Sequence, residues 1–258
     1  MKKSVWISIL EKNEGLGRLI FEELAHYGLA PGGHFWEDDL ANFAWAGAIS
    51  ELTRDHCAAW IIVGQTARFA EPATRQGLAL LALAAQSAHG SDFPILISPS
   101  GGTLDPGSLP TPLGAAEVVL SGLGTKALVR ANAKRQELRQ DYRLAVHPLP
   151  GLGLWFEVGP GQDPWQGAFF GCTGSAGAAP DAHGVGLAGV IPNKSTLHYP
   201  VQDMKITLGE REFSAWGAKN QLSPAQSYFV RVTQTPDALI FGPFPDVDDP
   251  EVFSMTLV

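Results

Sequence analysis

The sequence has few cysteines and no long hydrophobic run. Its only two cysteines, Cys57 and Cys172, are too few and too widely spaced for a disulfide framework. The best candidate for a membrane span, residues 78–85, covers about two helical turns, whereas a span needs about 20 residues. Residues 5–10 are shorter than a signal-peptide core and run directly into charged residues. These absences predict a soluble, cytoplasmic protein.

Several motifs that carry chemistry are also missing. The seven histidines show no His-Glu-x-x-His spacing and the cysteines no Cys-x-x-Cys spacing, so no metal site is expected. No Gly-x-x-x-x-Gly-Lys-Ser/Thr segment occurs, and Gly15-Leu16-Gly17 lacks the third glycine of a dinucleotide fingerprint. Phosphate-loop enzymes are therefore disfavoured.

Acidic residues outnumber basic ones, mainly in the second half of the chain. The formal net charge is −8, with 13 Lys and Arg against 15 Asp and Glu in residues 1–145 and 5 against 11 in the remainder. Because phosphate binding needs clustered cations, nucleic acid is not expected as a partner. The exception is a basic stripe formed by Lys126, Arg130, Lys134, Arg135, Arg139 and Arg143. It indicates a solvated helix face or, alternatively, a surface that docks onto the acidic second half or an acidic partner.

The first half is organised around an apolar run, Cys57–Gln65, which is typical of a strand buried on both sheet faces. Further strands are predicted at residues 5–10, 34–36, 93–98 and 116–120, and helices at residues 15–27, 41–54, 72–89 and 125–140. Alternation of this kind predicts a parallel sheet with helices on both faces. Five strands suit the flavodoxin-like order 2-1-3-4-5.

From about residue 143 the helical periodicity disappears and glycine and proline become frequent. Strands are predicted at residues 153–158, 168–170, 185–191, 204–208, 212–216, 228–232, 238–241 and 252–257. Residues 228–232 and 238–241 are expected to pair through the turn Thr235-Pro236-Asp237. We therefore predict an α/β domain over residues 1–142 and a β-rich domain, a sandwich or barrel-like fold, over residues 143–258.

Polar side chains follow the predicted strands of the first domain. Ligands of open parallel sheets bind at the carboxyl ends of the strands. This rule selects as candidate ligand-binding residues Ser8, Glu11, Trp36, Glu37, Asp38, Gln65, Arg68 and Arg75, together with Glu71, Ser98 and Ser100. An aromatic ring, several carboxylates and two arginines suit a nucleotide, whereas the alternative is that these are loop groups that cap helices.

Four segments in this order resemble the successive boxes of a TIR domain, over roughly residues 1–140. They are Val5-Trp6-Ile7-Ser8-Ile9, Gly33-His34-Phe35-Trp36-Glu37-Asp38-Asp39, Trp45-Ala46-Gly47-Ala48-Ile49 and Trp60-Ile61-Ile62-Val63-Gly64. The resemblance implies a five-stranded flavodoxin-like sheet that mediates TIR–TIR assembly. Some members of that family cleave NAD with a glutamate on the helix after the third strand.

The glutamate-containing segment of that family, Ser…Trp-Cys-x-x-Glu-Leu, has no good match in this chain. Aligning residues 72–77 with it places Gln76 at the position of the carboxylate. An amide can neither act as a base nor carry the negative charge that stabilises a developing cation. The candidate catalytic residue is therefore Glu71, at the start of the helix, and without it the chain would be a non-catalytic member.

Two features of the second half offer weaker alternatives. Cys172, in a glycine-rich segment, is either a nucleophile with His183 or His147 as base, or an inert buried residue. Trp165 and Trp216 either pack in the core or line a recognition surface.

Three functions follow. The first is a signalling or defence-like protein whose TIR-like domain binds a protein partner, itself or a nucleotide, with a β-rich interaction domain. The second is a hydrolase that cleaves NAD or another nucleotide through the strand-end pocket. The third is a structural or assembly protein. None requires a cofactor, since NAD or another nucleotide would enter as a ligand.

Overall fold

The computed structural model describes residues 2–135, 140–245 and 251–258. The chain divides into two compact units, Met1–Leu138 and Arg139–Val258. The boundary expected from the sequence, between residues 142 and 143, falls at the start of the first strand of the second unit, Tyr142–Leu149. In the described part of the chain, no helix is both long enough and apolar enough to cross a membrane.

The first unit is a parallel sheet with connecting helices. Its strands are β1 (Ser4–Ile9), β2 (Ala30–Phe35), β3 (Cys57–Gln65), β4 (Ile95–Ser100) and β5 (Glu117–Val118). Its helices are α1 (Glu14–His26), α2 (Ile49–Leu52), α3 (Pro72–His89) and α4 (Leu123–Asn132). The strand order is β2-β1-β3-β4-β5, which confirms the predicted order with β3 in the middle.

Strand β3 is the centre of the core because both of its faces are covered. Its first eight residues are all buried. On one face Ile61 joins an apolar cluster with Val5 and Ile7 of β1, Leu24 of α1 and Ala127 of α4. Burying this surface supplies most of the driving force for folding, at about 25 cal/mol per Å².

The opposite face of the sheet carries a buried polar contact. The Trp60 indole N–H donates to Ser8 Oγ at 3.0 Å, and Ser8 Oγ also lies 2.8 Å from His34 Nε2. Ser8 and Trp60 are both fully buried. Each polar atom therefore has a partner, as buried polar groups require.

The predicted helix over residues 41–54 is wrong. The structure has a 3-10 helix, Ala44–Ala48, followed by the single turn of α2. Phe43 takes a left-handed backbone conformation with φ of 55°, and the Asp39 carboxylate accepts hydrogen bonds from the backbone and side chain of Asn42. This local turn competes with a regular helix. The apolar spacing does not distinguish an α-helix from a 3-10 helix, because side chains three residues apart share a face in both.

Strand β2 begins four residues earlier than predicted. Residues 30–33 lie outside the predicted strand and include a proline and two glycines, yet they pair in register with β1. As the edge strand of the sheet, β2 tolerates the proline's missing N–H. A Cβ on Gly33 would lie 2.6 Å from the Ile7 carbonyl oxygen, so the close pairing requires glycine there.

The last helix is shorter than the predicted residues 125–140. Helix α4 ends at Asn132, its N-cap is Gly122 in a left-handed conformation, and Gln140 is not helical. Thr125, the first residue of the predicted helix, lies inside the helix instead, and its hydroxyl donates to the Tyr27 hydroxyl at 3.1 Å. The part of the prediction over residues 136–139 lies outside the described residues.

The second unit consists of two antiparallel sheets. Its strands are β6 (Tyr142–Leu149), β7 (Gly153–Pro160), β8 (Ala168–Thr173), β9 (Pro180–Leu187), β10 (Val201–Leu208), β11 (Arg211–Ala218), β12 (Gln226–Val232), β13 (Ala238–Pro243) and β14 (Phe253–Thr256). The sheet orders are β10-β11-β8-β13-β14 and β6-β7-β12-β9. Ring contacts join the sheets face to face, with Phe156 and Phe170 stacked at 5.1 Å between centroids. The predicted β-rich class is thus confirmed as a sandwich of two sheets.

The predicted hairpin of residues 228–232 and 238–241 is wrong. Strand β12 pairs with β7 and β9, whereas β13 pairs with β8 and β14 in the other sheet. The intervening turn therefore crosses between sheets, which a short turn sequence does not reveal. Strand β6 was not predicted, because His147 and Pro148 interrupt its apolar pattern.

A buried carboxylate, Glu157 of β7, ties this unit together. Its side chain is 1% exposed. It accepts hydrogen bonds from Ser227 Oγ at 2.6 Å, His147 Nε2 at 2.8 Å and the Gly189 backbone N–H at 2.9 Å, with Arg143 Nε at 3.3 Å. Burial alone would raise the pKa of Glu157, but the hydrogen bonds from His147, Ser227 and Gly189 outweigh it and hold the pKa below its ordinary value.

We predict that Glu157→Gln lowers the free energy of unfolding by about 2 kcal/mol near pH 7, since it replaces the charged acceptor that serves these donors. A lowered folded-state pKa gives stability above the unfolded pKa of about 4.3, and that stability is lost as pH falls through the folded pKa. In urea titrations, the difference in unfolding free energy between Glu157→Gln and the wild type should therefore shrink below about pH 4.

The matched control is Glu212→Gln, which alters an exposed pair with Lys205 in the same unit. It should change the unfolding free energy little, because exposed pairs contribute little. A Glu157→Gln protein as stable as the control protein at pH 7 would contradict the prediction.

Candidate functional site

The ends of β1, β2 and β3 bring several of the candidate residues together at one edge of the sheet, here called the carboxyl edge. Glu11, after β1, accepts a hydrogen bond from the Gln65 backbone N–H at 2.8 Å. Arg68, after β3, bonds both Asp38, after β2, and Glu71, at the start of α3. Five of the candidates are thus adjacent, as expected of parallel strands that end together.

Arg68 bridges two carboxylates at the centre of this group. Its Nη2 contacts Asp38 Oδ2 and its Nη1 contacts Glu71 Oε2. Burial disfavours the charged guanidinium, but the Asp38 hydrogen bond and charge, with the charges of Glu71 and Glu11, outweigh it and raise the pKa of Arg68. The arrangement keeps one cation fixed among three carboxylates.

Asp38 is the most highly coordinated of the carboxylates. Besides Arg68, it accepts from the Trp36 indole N–H at 2.9 Å and the Thr74 hydroxyl at 2.8 Å. Burial favours its protonated form, but the bonds from Thr74, Arg68 and Trp36 together lower the pKa of Asp38. Asp38 is therefore ionised at neutral pH and joins the end of β2 to the first turn of α3.

The remaining candidates have different environments. Ser8 is buried within the sheet, so it is not available to a ligand at this edge. Arg75 donates to the backbone carbonyls of Phe69 at 3.1 Å and Ser108 at 2.6 Å and thereby holds a loop. Trp36 is 7% exposed and presents no open ring face. Glu37 is exposed, and no residue of the described part of the chain bonds its carboxylate.

The opposite end of the sheet, here called the amino edge, is lined by cations. One cavity of about 280 Å³ has Arg130, Lys134 and Arg135 among its lining residues. A second, of about 390 Å³, shares Arg135 and adds Lys2 and Lys3. Arg135 is fixed by bonds to the Cys57 carbonyl at 3.0 Å and by the Phe93 ring.

Part of the basic stripe predicted from the sequence lies at this amino edge. Lys126 and Arg130 both pair with Glu117, at 2.9 and 2.6 Å. Lys134 and Lys2 have no ion pair within the described residues, although Asp92 and Glu117 line the cavity of Lys134 and Asp55 lines that of Lys2. Arg143 instead belongs to the second unit, where it bonds Ser227. Arg139 lies outside the described residues.

The alternatives raised by the cysteines and tryptophans are not favoured. Cys172 is fully buried, and burial raises its pKa to about 12, so it is not a thiolate nucleophile at neutral pH. Trp165 is 7% exposed and therefore packs in the core. Trp216 is half-buried, edge-on to His183 at 4.9 Å. Within the described residues, no group of three or more His, Cys, Asp or Glu side chains could hold a metal ion.

Three residues at the two edges were not among the sequence-based candidates. Thr74 lies 36 positions from its partner Asp38, and no motif links them. Lys2 and Lys3 stand before β1, where a parallel sheet places them at the amino edge. That position could have been deduced from the strand assignment alone.

Comparison with known proteins does not identify the chain: no protein-family model matches it, and no curated protein matches it significantly.

Arg68→Gln should raise the pKa of Asp38, because it removes one of the three donors that stabilise the carboxylate and one positive charge. Carboxyl-carbon NMR titration measures this directly. Arg18→Gln, an equal charge change on α1, should leave the pKa of Asp38 in place. An unchanged Asp38 titration in Arg68→Gln would show that the arginine is not its partner in solution.

Proposed function

We propose that the protein is a signalling or defence-like protein whose TIR-like α/β unit acts by binding a protein partner, with a second copy of the same chain as the first choice. The observation that carries this proposal is the opposite charge of the two edges of its sheet. The flavodoxin-like strand order supports the TIR-like assignment.

The carboxyl edge is acidic. Glu11, Glu37, Asp38 and Glu71 lie there, and Arg68 is the cation among them. Arg75 keeps its positive charge while it donates to backbone carbonyls, so the edge holds two arginines against these four carboxylates and remains net negative. Such an edge repels the phosphates of a nucleotide and attracts a cationic surface.

The amino edge provides a cationic surface of that kind. Lys2 and Lys3 line one cavity there with Arg135 and Asp55, and Lys134 lines the other with Arg130, Arg135, Asp92 and Glu117, so cations outnumber carboxylates in both cavities. Stacking the acidic edge of one copy on the basic edge of the next is a head-to-tail contact, which can propagate beyond two copies. Charge complementarity also speeds such an encounter.

We expect the full-length chain to associate at low salt and to dissociate as salt is raised, because screening weakens the attraction between exposed charges. Glu37→Lys and Lys134→Glu should each weaken association about tenfold, since each creates like-charge contacts. The combination of both substitutions should restore it. Light scattering as a function of protein and salt concentration measures the association of the wild type, the two single variants and the double variant.

Glu210→Lys makes the same chemical change in an exposed turn of the second unit and serves as the control. Its association should match the wild type. A wild-type chain that stays monomeric at low salt, or a double variant as weak as the single ones, would overturn the proposed contact.

A second candidate function is cleavage of NAD. Glu71 lies at the start of the helix after the third strand, beside Arg68, and would have to substitute for the carboxylate that Gln76 replaces in the family alignment. If so, the associated protein incubated with NAD should release nicotinamide, and Glu71→Gln should abolish release because an amide cannot stabilise a developing cation. Glu37→Gln is the matched control. No release from the associated wild-type chain would eliminate this candidate.

A further inference from the structure

Strand β9 forms one edge of the four-stranded sheet, and the chain that follows it folds back over that edge. Strand β9 pairs with β12 on one side. Residues 188–200, here called the strap, run along its other side before β10 begins. An edge strand presents backbone groups that a further strand could bond.

Ser195 of the strap takes the place of a neighbouring strand. Its hydroxyl oxygen accepts from the Val185 backbone N–H at 2.7 Å and donates to the Val185 carbonyl at 3.1 Å. One side chain thus satisfies both groups that this residue would offer to another strand. The Val190 backbone N–H similarly bonds the Leu187 carbonyl at 3.1 Å.

A few further contacts hold the strap in place. The Gly189 N–H bonds buried Glu157, and Asn220 bonds the backbone of Thr196 and His198 at 3.0 and 2.9 Å. Pro192 lies against β9 where Gly184 has no side chain; a Cβ there would be 3.2 Å from the proline ring.

The strap is anchored by hydrogen bonds rather than by apolar burial. None of residues 188–200 is buried, and Val190 and Tyr199 are 59% and 80% exposed. Segments with few buried apolar contacts open locally at a small fraction of the global unfolding free energy. Opening the strap would leave the outer backbone groups of Val185 without partners.

We propose that the strap is a removable cover over a strand-pairing site, and that the partner which pairs with uncovered β9 is β9 of a second copy. Two antiparallel copies related by a two-fold axis would offer each other the same donors and acceptors and form one continuous eight-stranded sheet.

The charges of β9 are compatible with self-pairing. Asp181 is its one acidic or basic residue besides His183, and Asp181 is already paired with Arg231 at 2.8 Å. Juxtaposing two copies therefore brings no unpaired like charges into contact. Because backbone bonds make this contact, it should persist in salt that disrupts the charge-driven association proposed above.

The test uses the full chain in about 0.5 M salt, which screens contacts between charged edges. Ser195→Ala combined with Asn220→Ala removes two of the three side chains that anchor the strap and leaves only Glu157 on Gly189. Ser175→Ala, an exposed serine elsewhere in the unit, is the control. Sedimentation velocity should show a dimer that grows with concentration in the strap variant, and monomer in the wild type and the control.

Hydrogen exchange locates the contact. In the dilute strap variant, β9 amides should exchange about tenfold or more faster than in the wild type, and they should slow again as the dimer forms. Adding Val185→Pro, which deletes the outward N–H at an edge position, should return the strap variant to monomer. A strap variant that is monomeric at every concentration, or a dimer whose β9 amides remain unprotected, would overturn the proposal.

Discussion

The parallel direction of the five strands is the constraint from which the first unit's other properties follow. Each crossover returns the chain to the same end of the sheet, so helix N-termini gather at the carboxyl edge and helix C-termini at the amino edge. Helix dipoles favour acidic residues at the first and basic residues at the second. Glu71 beside α3 and Arg130 in the last turn of α4 match this polarity. The separated charges therefore arise from the fold itself, and a surface formed for local stability becomes available for association.

The sequence was most informative where packing imposes a strict pattern. The bounds of β3 were predicted to the residue, because burial on both faces requires an uninterrupted apolar run. Prediction failed where a side chain or a register decides the structure. Asp39 diverts the chain after β2 into a tight turn, Gly33 allows close strand pairing, and β12 and β13 separate into different sheets despite a short connection. Those outcomes depend on contacts between residues distant in sequence, which periodicity does not encode.

The location of the candidate site was predictable, but the contacts of its side chains were not. Strand ends identified Glu11, Asp38 and Glu71, because topology alone fixes which loops meet. Side-chain direction was not predictable: Arg75 turns toward backbone carbonyls, and Ser8 toward the Trp60 indole. Composition nevertheless overstated the number of arginines that contact the carboxylates of the site, since only Arg68 does so. Both of the terminal nitrogens by which Arg75 could hold a phosphate are engaged within the protein instead.

The two proposed contacts between copies differ in what limits them. Charged edges attract over a screening length of about 10 Å, so their contact depends on salt and forms without rearrangement. Backbone pairing through β9 acts only at hydrogen-bonding distance. It can form only after the strap's hydrogen bonds at Ser195 and Gly189 have broken. Glu157 links this second contact to the stability of its unit, because the same carboxylate that joins β6, β7 and β12 also holds the strap. Weakening that carboxylate would therefore loosen the cover and the sandwich together, whereas removing Ser195 acts on the cover alone.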